Sequence, residues 1–141
     1  VPALLLFVLA LVLRILFVGA TPDGGVGWGV GFQGDAPVWQ DLAHKTANGL
    51  RDELLVLPLR PPAMQWLVAQ LWNGAPESVW TARLLFVALG ALVAPLVWQL
   101  LRPAVAPRVA FVAALLCAAS SNLLLLSSGL HNETLYLTLA L

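Results

Sequence analysis

The chain has 141 residues, 60% of them hydrophobic and 10% charged, with a mean hydropathy of +0.89. An ordinary soluble domain is roughly 45–50% apolar and about 25% charged, so the composition excludes a disordered chain and argues against a nucleic-acid binder or a typical cytosolic enzyme. Seven basic and seven acidic residues cancel, and the single cysteine, Cys117, excludes a disulfide framework or a multi-thiolate zinc site.

The apolar residues lie in long runs, which points to a bilayer. About 20 apolar residues cross a hydrocarbon core as a helix. Residues 1–20 form the first run, broken only by Arg14. The run has no basic n-region and is long for the apolar part of a signal peptide, so it reads as a retained anchor. Residues 79–101 form the second expected span and 109–130 the third. Residues 131–141 read as a turn followed by the start of a fourth span. Its apolar stretch, Glu133 to Leu141, covers roughly 13 Å as a helix and cannot cross alone. The abrupt apolar start and end predict a piece of a larger membrane protein. The expected fold is an all-α, polytopic membrane helix bundle.

Charge sets the expected orientation. The short link 102–108 holds Arg102 and Arg108 and no acid, and basic short loops stay cytoplasmic. Segment 21–78 and the turn at His131–Glu133 then face the extracytoplasmic side. Segment 21–78 is too long for a simple connector. It opens with six glycines between Asp23 and Asp35, then shows apolar residues at three- and four-residue spacing, predicting a surface helix near 36–48 that ends at Gly49. A second helix is expected near 62–72, opened by Pro61-Pro62 and closed by Asn73-Gly74.

Candidate functional residues follow from this topology. Asp35 and Glu133 are expected together at the outer boundary, where two carboxylates can serve as base and orienting group or share a divalent cation. Each also has a purely structural reading: Asp35 as a helix N-cap before Pro37, and Glu133 as an acid complementing a helix dipole. Arg60 and Arg83 flank the second outer helix. They are candidates for holding a phosphate, or interfacial anchors. His131 and Asn132 are candidate contacts in a polar turn, with Asn132 a possible cap. Arg14 either snorkels to the interface or lines a polar cavity. Ser120, Ser121 and Asn122 are expected to hydrogen-bond between helices, and Cys117 to pack as a small residue.

The pieces GDAPVWQDLAHKTANGL, LRPPAMQWLVAQLW, TARLLFVALGAL and SSGLHNETLYLTLAL, taken in order, resemble the N-terminal part of the GT-C glycosyltransferases. The resemblance is to the branch containing protein O-mannosyltransferases and lipid A aminoarabinose transferases, and bacterial members of the glycosyltransferase 39 type are most similar. It covers nearly the whole chain and rests on the order and spacing of the pieces, since none is specific alone. It implies a multi-pass protein of the bacterial inner membrane with its active face extracytoplasmic. It further implies a polyprenyl-phosphate-linked sugar as donor, a lipid, glycan or protein acceptor, and inversion at the anomeric carbon. It carries Asp35 over as the base toward an acceptor hydroxyl. Glu133 is carried over as the second acid, near a divalent metal or the donor phosphate, while Arg60 and Arg83 match recurring arginines. Two departures stand out. Ala63-Met64 replaces an aromatic found in many members, and Asp35 precedes Ala36 rather than the second acid of the eukaryotic mannosyltransferases. The rival expectations are a transporter or permease, with charge lining a pathway, and a non-catalytic membrane scaffold.

Overall fold

The computed structural model describes residues 2–20, 45, 48–49, 62–71, 79–129 and 131–141. Among these residues all regular structure is helical. Helix α1 is Pro2–Gly19, α2 is Pro62–Leu71, α3 is Val79–Leu101, α4 is Pro107–Ala119, α5 is Ser121–Ser128 and α6 is Asn132–Ala140. The expected surface helix near 36–48 lies almost wholly outside the described residues. Beyond it Gly49 sits in a turn at φ 72°, a left-handed conformation that suits glycine. Helices α1 and α3 are long and apolar enough to cross a membrane.

The packing pattern is inverted relative to a water-soluble bundle. On α1 the inward residues are Leu6, Ala10, Arg14 and Val18, one every four positions. Leu4, Leu5, Val8, Leu9, Val12, Ile15 and Leu16 point outward and are exposed. On α4, Ala110, Ala114 and Ala118 are buried at the same spacing while Val109, Val112 and Leu116 face out. Large apolar residues on the outside with small ones at the contacts is the arrangement expected where lipid is the solvent. Association there depends on close backbone approach rather than on removing apolar area from water. The core is accordingly small-residue rich, with Leu6, Ala10, Ala91, Ala94, Ala114 and Ala118 in one cluster.

Helix α3 is the hub, packing against every other described helix. Pro2 and Leu5 share a groove with Trp98 and Arg108, whereas Arg14 shares a cavity with Gly90. Helices α1 and α3 are therefore antiparallel, and α1 ends at the end of the bundle where α3 begins. At the opposite end the turn 102–106 joins α3 to α4. Arg102 and Arg108 are exposed there, and Arg102 lies 5.5 Å over the Trp98 ring.

The run 109–130 departs from the single straight span expected of it. It consists of α4 and α5, bent by 51° at Ser120, either a broken span or a re-entrant loop. Ser120 leaves helical geometry at φ −61°, ψ 121°, and its N–H reaches only Cys117 O, at 3.4 Å. Serines divert backbone hydrogen bonds from a helix. The expected interhelical role of Ser121 and Asn122 is also corrected: both are exposed, and the inward hydroxyls are those of Ser127 and Ser128. Each donates back to its own helix, Ser127 Oγ to Leu123 O at 2.6 Å and Ser128 Oγ to Leu125 O at 2.8 Å.

Gly90 permits a close approach between α3 and α5. A Cβ there would overlap Ser127 Cβ and come within 3.0 Å of Arg14 Nε. Glycine to alanine in a helix interior gains about 1 kcal/mol in propensity, but overpacking typically costs about 1–3 kcal/mol. The overlapping atom is a Cβ that cannot rotate away, so the steric cost dominates. We expect Gly90→Ala to lower the thermal midpoint in detergent and Gly90→Ala/Ser127→Gly to recover most of the loss. An unchanged midpoint for the single variant would mean that the helices do not approach as described.

Candidate functional site

Arg14 is fully buried in the middle of the helix cluster. Its Nη1 donates to Ala10 O at 3.1 Å in its own helix and to Ala118 O at 3.4 Å in α4. Of the two readings of this arginine, snorkelling to an interface and lining a polar cavity, the geometry selects the second. The cavity is about 180 Å³. Arg14, Gly90, Ser127, Glu133 and Thr134 line it, together with the aliphatic side chains of Val93, Leu123, Leu126 and Leu137.

Glu133 reaches this cavity from the first turn of α6, where it is exposed and where an acid complements the helix dipole. Gly90, on the same cavity, is the midpoint of the 23-residue α3. His131, not Asn132, is the N-cap residue of α6, and no side chain caps that end. Both are half-buried, and the His131 carbonyl accepts from Thr134 N at 3.2 Å.

Arg83 stands apart from the cavity lining. It is buried one turn into α3. Its Nε donates to Ser128 O at 2.8 Å, and its guanidinium lies 5.0 Å over the Trp80 ring. These contacts tie the C-terminus of α5 to α3, which is a structural task whatever else the residue does. Asp35 and Arg60 lie outside the described residues, so their geometry relative to Glu133 is not part of this site. Among the described residues no group of three or more His, Cys, Asp or Glu converges on a metal position.

Sequence reasoning placed Glu133 among the site residues and Arg14 only among candidates for a cavity. Thr134 and Gly90 were missed. The available signal was Arg14 itself, the one charge in an apolar run. An intramembrane ionisable residue marks a functional site by default.

The role of Arg83 predicts a contrast between two arginines that each lie over a tryptophan. Arg83→Ala removes a charge-assisted hydrogen bond from a buried carbonyl, a loss of about 1.5–3 kcal/mol. Arg102→Ala alters an exposed pair and changes stability by about 0.5 kcal/mol or less. Thermal midpoints of the two variants in one detergent should separate clearly, and equal shifts would remove the structural role assigned to Arg83. No protein-family model, curated protein or solved structure matches the chain.

Proposed function

We propose that the chain is part of an integral-membrane glycosyltransferase. The enzyme moves a sugar from a polyprenyl-phosphate donor to a lipid, glycan or protein acceptor on the extracytoplasmic face of a bacterial inner membrane. The observation that carries the reading is the shared cavity, in which an acid, Glu133, and a buried guanidinium, Arg14, open onto one space between helices. The order of the sequence pieces that resemble the GT-C enzymes supports it. So does the topology, since segment 21–78, which holds Asp35, leaves α1 and enters α3 at one end of the bundle.

In this reading Asp35 takes the proton from the acceptor hydroxyl. The oxygen attacks the anomeric carbon with inversion, and the bond to the donor phosphate breaks. The departing phosphate takes the electron pair, and nearby cationic groups stabilise the charge that develops on it. Glu133 orients the reacting groups or helps hold a divalent cation. Arg60 remains a candidate for the phosphate.

One observation favours a second reading, a transporter or permease. The charged cavity lies at the mid-length of α3 and beside a broken helix pair. Interrupted helices around mid-membrane charges are how transporters build their binding sites.

Turnover of a panel of polyprenyl-phosphate sugars by the protein in membranes tests the proposal, with Asp35→Asn and Glu133→Gln beside the wild type. Loss of a general base costs about 100-fold or more. A drop of that size for Asp35→Asn, with a working wild type, is the expected result. Equal turnover by wild type and Asp35→Asn would leave Asp35 a helix cap. No turnover of any donor, with solute uptake in proteoliposomes that Glu133→Gln abolishes, would establish the transport reading instead.

A further inference from the structure

The end of the bundle where α3 passes into α4 carries charge that nothing nearby balances. Arg102 and Arg108 are both exposed there, and no Asp or Glu occurs in the sequence between Glu77 and Glu133. Among the described residues Glu133 is the one acid, and it shares its cavity with Gly90, about 12 Å along α3 from Trp98. Two apolar grooves open beside these arginines. The first runs between α1 and α4, with Pro2 and Leu5 on one side, Pro107 and Phe111 on the other, and Trp98 of α3 as its wall. The second follows the outer face of α4 past Val109 and Ala113 to Leu116, about 12 Å from Arg108 along the axis. Arg108 and Val112 line both grooves. A charge thus stands at the head of two apolar troughs, and Val112 is the ridge that divides them. Their volumes are about 620 and 380 Å³, within the roughly 300–1,000 Å³ of ordinary ligand clefts, whereas the interior cavity of about 180 Å³ falls below it. Arg102, 5.5 Å over the Trp98 ring, places a second cation at the rim of the first groove.

We propose that the paired grooves hold one anionic diacyl phospholipid, with its phosphodiester on Arg108 and one acyl chain in each groove on either side of Val112. The forked shape asks for two chains below one head, and the charge asks for an anion. An arginine fork matches two phosphate oxygens, and basic pockets between membrane helices are sites where anionic lipid heads collect. Arg102 sets the preference among lipids. A net-negative head gains from this second cation, whereas the ammonium of a zwitterionic head is repelled by it. The tryptophan beneath Arg102 sits where an aromatic ring meets the headgroup level. The bound lipid has a structural role, because its first chain lies against both α1 and α4 and so joins them at the end of the bundle. This end is opposite the one at which segment 21–78 leaves α1 and enters α3. The lipid therefore belongs to the other leaflet from the proposed sugar donor, and the inference stands whether the protein transfers sugars or transports solutes.

The test uses the protein with its full chain in nanodiscs of equal parts phosphatidylglycerol and phosphatidylcholine, analysed by native mass spectrometry for the lipid that stays bound. Each basic residue near the surface favours an anionic lipid by about fivefold, so wild type should retain phosphatidylglycerol over phosphatidylcholine by at least about that factor. Arg102→Gln/Arg108→Gln, which changes two exposed side chains, should bring the ratio close to one. Arg108→Lys keeps the charge and should keep most of the preference. Ala113→Trp fills the second groove and leaves both arginines in place. It should weaken retention of phosphatidylglycerol while leaving that of single-chain lysophosphatidylglycerol unchanged. Four outcomes would overturn the proposal. Wild type retaining both lipids alike, or a preference that survives the double variant, would remove the role of the arginines. Two-chain lipid held equally well by Ala113→Trp would remove the second groove. A dimer that retains no lipid would place a second copy of the chain over the grooves instead.

Discussion

The Arg14 guanidinium is the contact around which the described helices are arranged. It is a charge in an apolar helix, and its burial among α1, α3 and α4 is tolerable only because backbone carbonyls of Ala10 and Ala118 accept from it. Those bonds require α4 to end beside the middle of α1. They also require α3 to present a residue without a side chain where the guanidinium passes, and Gly90 meets that need. The bend at Ser120 follows from the same geometry, since α5 must turn aside if Ser127 is to reach Gly90 while Ala118 meets Arg14. The cavity is the space left among α1, α3, α5 and α6, and its lining includes both Arg14 and Glu133.

The forces holding the remainder together differ from those of a soluble domain. Apolar side chains gain little by leaving lipid for a protein interior, so the alanine-rich contacts of α1, α3 and α4 hold by close packing and by a few polar bridges. Arg83 to Ser128 and Thr138 to the Leu89 carbonyl at 3.1 Å are two such bridges, fastening α5 and α6 to α3. This explains why α5, only 8 residues long, takes up a defined position although it has no strongly one-sided apolar face.

Much of the fold was legible because hydropathy and helix punctuation are properties of local sequence. The apolar runs located α1 and α3, and Pro62 opens α2 where the double proline indicated. The oddity of Arg14 was visible as the lone charge in its run. The bend at Ser120 was not legible, because an uncharged run such as 109–130 scores alike whether its axis is straight or broken. Thr134 and Gly90 offered no signal, since threonine and glycine are common in membrane helices, and their roles arise only from what packs opposite them.

The central claim is that position 133 and Arg14 line one cavity within the helix bundle. The most direct measurement is the rate at which Glu133→Cys, in a Cys117→Ala background, reacts in membranes with thiosulfonate reagents of opposite charge. A guanidinium in the same cavity speeds the anionic reagent relative to the cationic one, and Arg14→Gln should remove that preference while leaving the cysteine reactive. A cysteine that reacts with both reagents alike, with or without Arg14, would contradict the shared cavity and with it the placement of the site.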